Sequence, residues 1–454
     1  MNMVSTVAAF VFALGILIVV HEYGHYLIAR WCGVKVLRFS VGFGKALITR
    51  RRGPDNTEWT LAAFPLGGYV KMLDEREAPV EPHELHRAFN RQRVGKRFAI
   101  VLAGPVANFL LAIALYWGLY SYGTQELRPL LGKPVAQSVA ERAGFADGEL
   151  VTAVAGQKTE TWQELRWQLL QHALDKAPVK IEVVNARNEL SERSLDLSDV
   201  STENLEGDLL SQLGLRLFRP DLPAIIGKLS ADGVAERAGL VVGDRLTVVD
   251  GKPIEHWMDV VTAIRAAADR EIEIEFRRAD ETRSVRLTPT EVEENGRRFG
   301  RIGIGPQETD FDRSWLMTTV SYSPIDALSK AVHTTWETST FSLSILGRML
   351  TGDVSWKNLS GPVTIADYAG QSARLGLTYY LKFLALISIS LGVLNLLPIP
   401  ILDGGHLMYY IVEIIKGGPV SEKAMEIGQQ IGLALLVMLM AFAFYNDINR
   451  LLSG

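Results

Sequence analysis

The chain has 454 residues, 48% of them hydrophobic and 22% charged, with a mean hydropathy of +0.13. This length and composition, with the single cysteine Cys32, exclude a disordered chain, a collagen-like repeat and a disulfide-stapled scaffold. A net charge of −4 and a pI near 6.1 give no electrostatic footprint for nucleic acid.

Residues 1–20 are the first of four apolar runs without charge, the others being 98–125, 383–402 and 427–446. A helix needs about 20 apolar residues to cross the hydrocarbon core, so four transmembrane helices are expected. The first run lacks a basic start, and cleavage behind it would strand a charged motif, so it reads as a retained span and not a signal peptide. Residues 30–97 hold 14 basic and 7 acidic side chains, whereas 123–312 hold 24 and 34. The positive-inside rule puts the first segment in the cytoplasm and the second outside, with both termini outside.

The first run continues into His21-Glu22-Tyr23-Gly24-His25. On a helix the two histidines, at i and i+4, share one face and suit one zinc ion, and Glu22 can serve as general base toward a metal-bound water. Ionisable groups inside a span are costly unless paired or metal-bound, which makes function the default reading. Further on, 61–72 is apolar around Gly67-Gly68, which predicts a membrane-dipping hairpin turning there. Gly42-Phe43-Gly44 predicts a similar turn. The second run carries Gly104-Pro105-Val106-Ala107-Asn108.

The outer segment repeats itself at an offset of 95: Val139-Ala-Glu-Arg-Ala-Gly144 returns as Val234-Ala-Glu-Arg-Ala-Gly239, Gly148 as Gly243, Gly156 as Gly251 and Trp162 as Trp257. Two copies of about 90 residues predict two similar domains, not a solenoid of short repeats. Residues 313–375 have weaker, charge-broken apolar stretches that suit helices on or dipping into the outer membrane surface. The third run ends in Asn395-Leu-Leu-Pro398-Ile-Pro400-Ile-Leu402-Asp403-Gly404-Gly405-His406. By the topology above, this end and the His21–His25 end both face the cytoplasm and can meet. A catalytic zinc needs three protein ligands and an open position. His83 and His86 lie in a charged loop, and His172, His256 and His333 lie outside. Asp403 and His406 remain, Asp403 being the better candidate, although spacing alone does not separate them.

H-E-x-x-H late in the first span with Asn-x-x-Pro-x-Pro-x-x-Leu-Asp-Gly late in the third resembles the site-2 protease family of intramembrane zinc metalloproteases. Four spans with two repeated domains between the second and third resemble its RseP-type branch, as does Gly104–Asn108. The repeats themselves resemble circularly permuted PDZ domains: Ala238-Gly239-Leu240-Val241-Val242-Gly243-Asp244 carries the signature, and the first copy departs from it at Phe145–Glu149. The resemblance implies an α-helical integral membrane protein with four transmembrane helices, two tandem PDZ-like α/β domains and a membrane-associated β-hairpin. The divisions expected are 1–97, 98–122, 123–220, 221–308, 309–378, 379–402, 403–426 and 427–447. It implies Zn2+ on His21, His25 and Asp403, catalysis by Glu22, substrate-backbone contact at Asn395, and a site shaped by Pro398 and Pro400. A hairpin edge at Gly67, Gly68 and Tyr69 would hold unwound substrate.

The implied function is endoproteolysis of single-span proteins in or near the bilayer of the inner membrane. The implied substrates are a trimmed anti-sigma factor of a stress response and remnant signal peptides, filtered by size through periplasmic PDZ domains. The implied partners are these substrates and the lipid bilayer, with no nucleic acid. The alternative reading is a non-enzymatic, membrane-anchored PDZ scaffold.

Overall fold

The computed structural model describes residues 3–198, 200, 209–218, 222–231, 233–279, 281–294, 297–307 and 316–453. The chain folds as two compact units, one built mainly from Met1–Glu126 and Thr319–Asn449, the other mainly from Leu127–Val200 and Asp208–Thr318. Two of the expected divisions, after 220 and after 308, fall outside the described residues.

The first unit holds four helices long and apolar enough to span a bilayer: Val4–Trp31, Val94–Tyr122, Leu377–Leu396 and Glu422–Asn449. The chain is an integral membrane protein. Each expected apolar run lies mostly inside one of these helices, and the third stops at Leu396 because Pro398 and Pro400 cannot continue it. The first two spans touch backbone to backbone. A methyl on Gly24 would strike the Ala103 carbonyl and stand 2.8 Å from Ala107 Cβ. Residues 313–375 supply two amphipathic helices, Pro324–Thr351 and Pro362–Leu375. Their apolar sides pack on the spans: Ala331 joins Ala112, Tyr116, Ala385 and Ile389, and Ala369 joins Leu17 and Phe383. Asp447 of the fourth span caps the second of them, accepting from the Gly361 and Val363 amides at 3.0 and 2.8 Å and from the Thr364 hydroxyl at 2.6 Å. The two amides are orphan donors of a helix N-terminus, so the carboxylate ties the last span into the bundle.

A β-hairpin, Val36–Arg52 with Thr57–Met72, follows the first span. It does not turn where the sequence predicts. The turn lies at Gly53-Pro54-Asp55-Asn56, where Gly53 and Asn56 both have positive φ. Gly67-Gly68 lies inside the second strand, with Gly68 opposite Val41, and Gly42-Phe43-Gly44 lies inside the first. Those glycines serve curvature and close approach: Gly42 (φ 92°) and Gly44 (φ 85°) kink the first strand, and both Gly42 and Gly67 sit against the opposing strand. The kink folds the hairpin over, so Arg38–Val41 lies between Gly68–Lys71 on one side and Glu58–Leu61 on the other. Arg87 closes on Asp55 at 2.7 and 2.8 Å, fastening the turn to the chain before the second span.

The second unit contains the repeat as two copies of one module. Leu150–Val154, Gln157–Lys158, Val179–Val184 and Leu190–Leu195 form a four-stranded sheet; Arg245–Val249, Lys252–Pro253, Ile272–Arg278 and Glu281–Leu287 form its equivalent in the same strand order. Each copy turns its first hairpin on two positive-φ residues, Ala155-Gly156 and Asp250-Gly251, as tight two-residue turns require. Each packs a helix, Trp162–Ala173 or Trp257–Arg265, on its sheet. In the second copy a groove of about 330 Å3 runs beside that helix, lined by Trp257, Val260, Ile264, Phe299 and Ile302.

Candidate metal centre

The helix of the first span carries His21 and His25 one turn apart, facing the second span. Both are nearly enclosed, at 9% and 8% exposure, and Glu22 between them is equally buried. Space for the rings comes from Gly104, since a methyl there would strike the His25 imidazole and stand 2.8 Å from His21 Cε1. His25 Nδ1 donates to the Ile100 carbonyl at 2.8 Å, which leaves Nε2 with its lone pair. Asn108 stands against His21, its Nδ2 3.1 Å from His21 Nδ1.

Asp403 arrives from the far end of the chain. After Leu396 the backbone runs irregularly to Leu402, with Ile401 at φ 113°, a strained value for a β-branched residue, and Asp403 opens the helix Asp403–Lys416. Gly404 and Gly405 let that helix seat directly on the carbonyls of Leu396, Leu397 and Ile399. The result puts Asp403 Oδ2 3.1 Å from His21 Nε2 and 3.5 Å from His25 Nε2, while the two imidazole nitrogens lie 3.3 Å apart. Zinc with ligands at about 2.0–2.1 Å in a tetrahedron requires donor atoms about 3.3 Å from one another, so the triangle fits it. Two imidazoles and one carboxylate are also the donor set zinc accepts while keeping a fourth position for water or substrate. Among the described residues this is the single cluster of three such donors.

The other expected site residues fall in different places. Gly68 joins the centre, because a methyl on it would stand 2.9 Å from Glu22 Cγ and 2.8 Å from Ile18 Cγ2. Gly67 lies under the Phe43 ring. Tyr69 stacks on Phe43 and accepts from Arg38 at 3.2 Å. Asn395 sits half-buried on the last turn of the third span, and its side-chain amide makes no hydrogen bond among the described residues. Pro398 and Pro400 lie in the irregular stretch before Asp403; Pro400 also packs against Gly428 and Gly432 of the fourth span. His406 stays outside the donor cluster, edge-on to Tyr409 at 6.4 Å, and burial holds its imidazole below its usual range. His83 is exposed beside Glu81. Sequence reasoning assigned no role to Ile100, Gly104 or Asn108; the signal was a glycine and an asparagine four apart in an otherwise apolar run.

Comparison with known proteins agrees with this geometry. The profile of peptidase family M50 matches residues 9–439. The chain belongs to that family. It is a metalloprotease of the site-2 protease type, as is expected of an M50 chain carrying this donor triangle. It is 42% identical to the regulator of sigma-E protease RseP of Salmonella typhimurium, over 99% of this chain and 100% of that protein. With RseP of Escherichia coli the identity is 42%, over 98% of each chain. A putative zinc metalloprotease of Neisseria meningitidis is 43% identical over 99% of this chain and 100% of its own length. The PDZ domain of an SdrC-like protein from Listeria monocytogenes matches 20% of this chain and 92% of its own at 18% identity, with a TM-score of 0.16 that carries no argument about fold.

Proposed function

We propose that this M50 chain is an intramembrane-cleaving zinc endoprotease of the inner membrane, with His21, His25 and Asp403 as the metal ligands and Glu22 as the general base. The observation that carries the reading is the donor triangle with sides of 3.1–3.5 Å, built where the ends of two apolar spans meet. Zinc held there supplies Lewis acidity toward a peptide carbonyl and lowers the pKa of a bound water. The Glu22 carboxylate takes a proton from the attacking water and returns it to the leaving amide nitrogen. A helical substrate must first unwind, because its carbonyls are otherwise held in hydrogen bonds. The hairpin edge at Gly67, Gly68 and Tyr69 receives the unwound segment as an added strand, supported by the contact of Gly68 with Glu22. Asn395, whose amide has no partner among the described residues, bonds the substrate backbone, and Pro398 and Pro400 keep the approach free of helix.

The substrates are single-span membrane proteins already trimmed outside. The names of the Salmonella and Escherichia relatives support an anti-sigma factor, and remnant signal peptides are of the same class. The two repeated modules are circularly permuted PDZ-like domains on the periplasmic side, where they act as a size filter. Their shared strand order and the groove beside Trp257 support this reading. The test is co-expression of a tagged single-span substrate with wild type or Glu22→Gln. Glu22→Gln keeps its zinc and cuts nothing; cleavage at the wild-type rate with stoichiometric zinc refutes the general-base role.

A further inference from the structure

The second span meets the two histidines along one face, at Ile100, Gly104 and Asn108, each one turn from the next. Ile100 fixes the His25 tautomer through its carbonyl, and Gly104 makes room for both rings. Asn108 is fully buried, and its backbone is held by the Ser388 hydroxyl of the third span, which donates to the Asn108 carbonyl at 2.7 Å. One end of its amide lies 3.1 Å from His21 Nδ1, while Oδ1 has no hydrogen-bond partner among the described residues. A half-turn of the amide exchanges its two ends in the same space. With the nitrogen toward the ring, Nδ1 accepts and the ring proton sits on Nε2, pointing at Asp403. With the oxygen toward it, Nδ1 donates and Nε2 has a free lone pair. A protonated ring nitrogen cannot ligate a metal, so only the second arrangement lets His21 join the donor triangle through Nε2.

We propose that Asn108 is a positioning residue of the metal centre, its Oδ1 accepting from His21 Nδ1–H whenever Nε2 ligates the metal. This rests on the reading of His21 as a ligand. Burying an amide among apolar helices is costly unless it is paired, and leucine, with the same branched four-atom side-chain skeleton, carries no such cost. Packing alone therefore does not call for an asparagine here.

The full-length protein in detergent, loaded with zinc, tests this by chelator competition in wild type, Asn108→Leu, Asn108→Asp and His21→Ala. Asn108→Leu keeps the branched four-atom skeleton and loses the acceptor, so zinc affinity falls about 10- to 100-fold. Asn108→Asp keeps the acceptor and binds zinc about as tightly as wild type. Wild-type affinity in Asn108→Leu, or affinity in Asn108→Asp as low as in Asn108→Leu, overturns the proposal. Zinc retained at wild-type affinity in His21→Ala removes the ligand reading itself, and the proposal with it. Solid-state 15N spectra of the histidine-labelled, zinc-loaded wild type do not depend on how the variants fold. They show a protonated Nδ1 at His21, assigned by its loss in His21→Ala, and an unprotonated one overturns the proposal.

Discussion

Gly104→Ala separates the packing of the metal centre from the stability of the helix that carries it. In an open helix the added methyl stabilises by up to about 1 kcal/mol, because glycine loses more backbone freedom than alanine on folding. At Gly104 that methyl would stand 2.5 Å from His25 Cε1 and 2.8 Å from His21 Cε1. Carbon atoms settle at about 3.5 Å or more, so both rings must retreat by about 0.7–1.0 Å. Overpacking of this kind costs about 1–3 kcal/mol, which leaves a net loss between about zero and about 3 kcal/mol. The site suffers far more, since ligand geometry tolerates about 0.5 Å of error. Zinc affinity should fall at least about tenfold, and cleavage of a single-span substrate about 100-fold. Gly118→Ala, on the same helix with nothing within 4 Å of the added carbon, is the control and should leave both unchanged. Metal content, chelator competition and a cleavage assay on the two purified variants decide the matter. Full zinc occupancy with wild-type turnover in Gly104→Ala would refute the claim that this glycine makes room for the ligands.

Asp403→Ala should lose zinc as well as activity, because two histidines hold the metal poorly, whereas His406→Ala should cost much less; metal analysis giving the reverse order would make His406 the ligand. Single cysteines at Asn56 and Asn188, in a Cys32→Ser background, should label from opposite sides of the membrane, and labelling of both by an impermeant reagent in intact spheroplasts would overturn the four-span topology. Deleting residues 135–305 should retain cleavage of a trimmed substrate and extend it to an untrimmed one; loss of cleavage of the trimmed substrate would instead make the outer modules obligatory receptors.

The spans, the H-E-x-x-H helix face and the internal repeat were legible in the sequence because each rests on local order. A run of apolar residues has the same length whether or not its neighbours are known. Two histidines four apart share a face on any helix, and a domain copied at an offset of 95 keeps its glycines and tryptophan in step. Charge balance between segments supported an orientation for the same reason. Three matters depended on contacts between residues far apart in the chain. The choice of Asp403 over His406 turns on the irregular stretch from Leu397 to Leu402, with its strained Ile401, which aims one side chain at the histidines and leaves the other beside Tyr409. The hairpin turns at Gly53–Asn56 and not at Gly67-Gly68, because glycine marks a tight turn and a close approach alike, and only the opposing strand distinguishes them. Gly104 and Asn108 stood out in the sequence as part of a pentapeptide of the family branch, with no role attached, and what they touch is decided by the rotation of the first helix against the second, which brings the imidazoles onto them. Periodicity tells which residues share a face of one helix; what that face meets is set by packing among elements that the sequence keeps hundreds of residues apart.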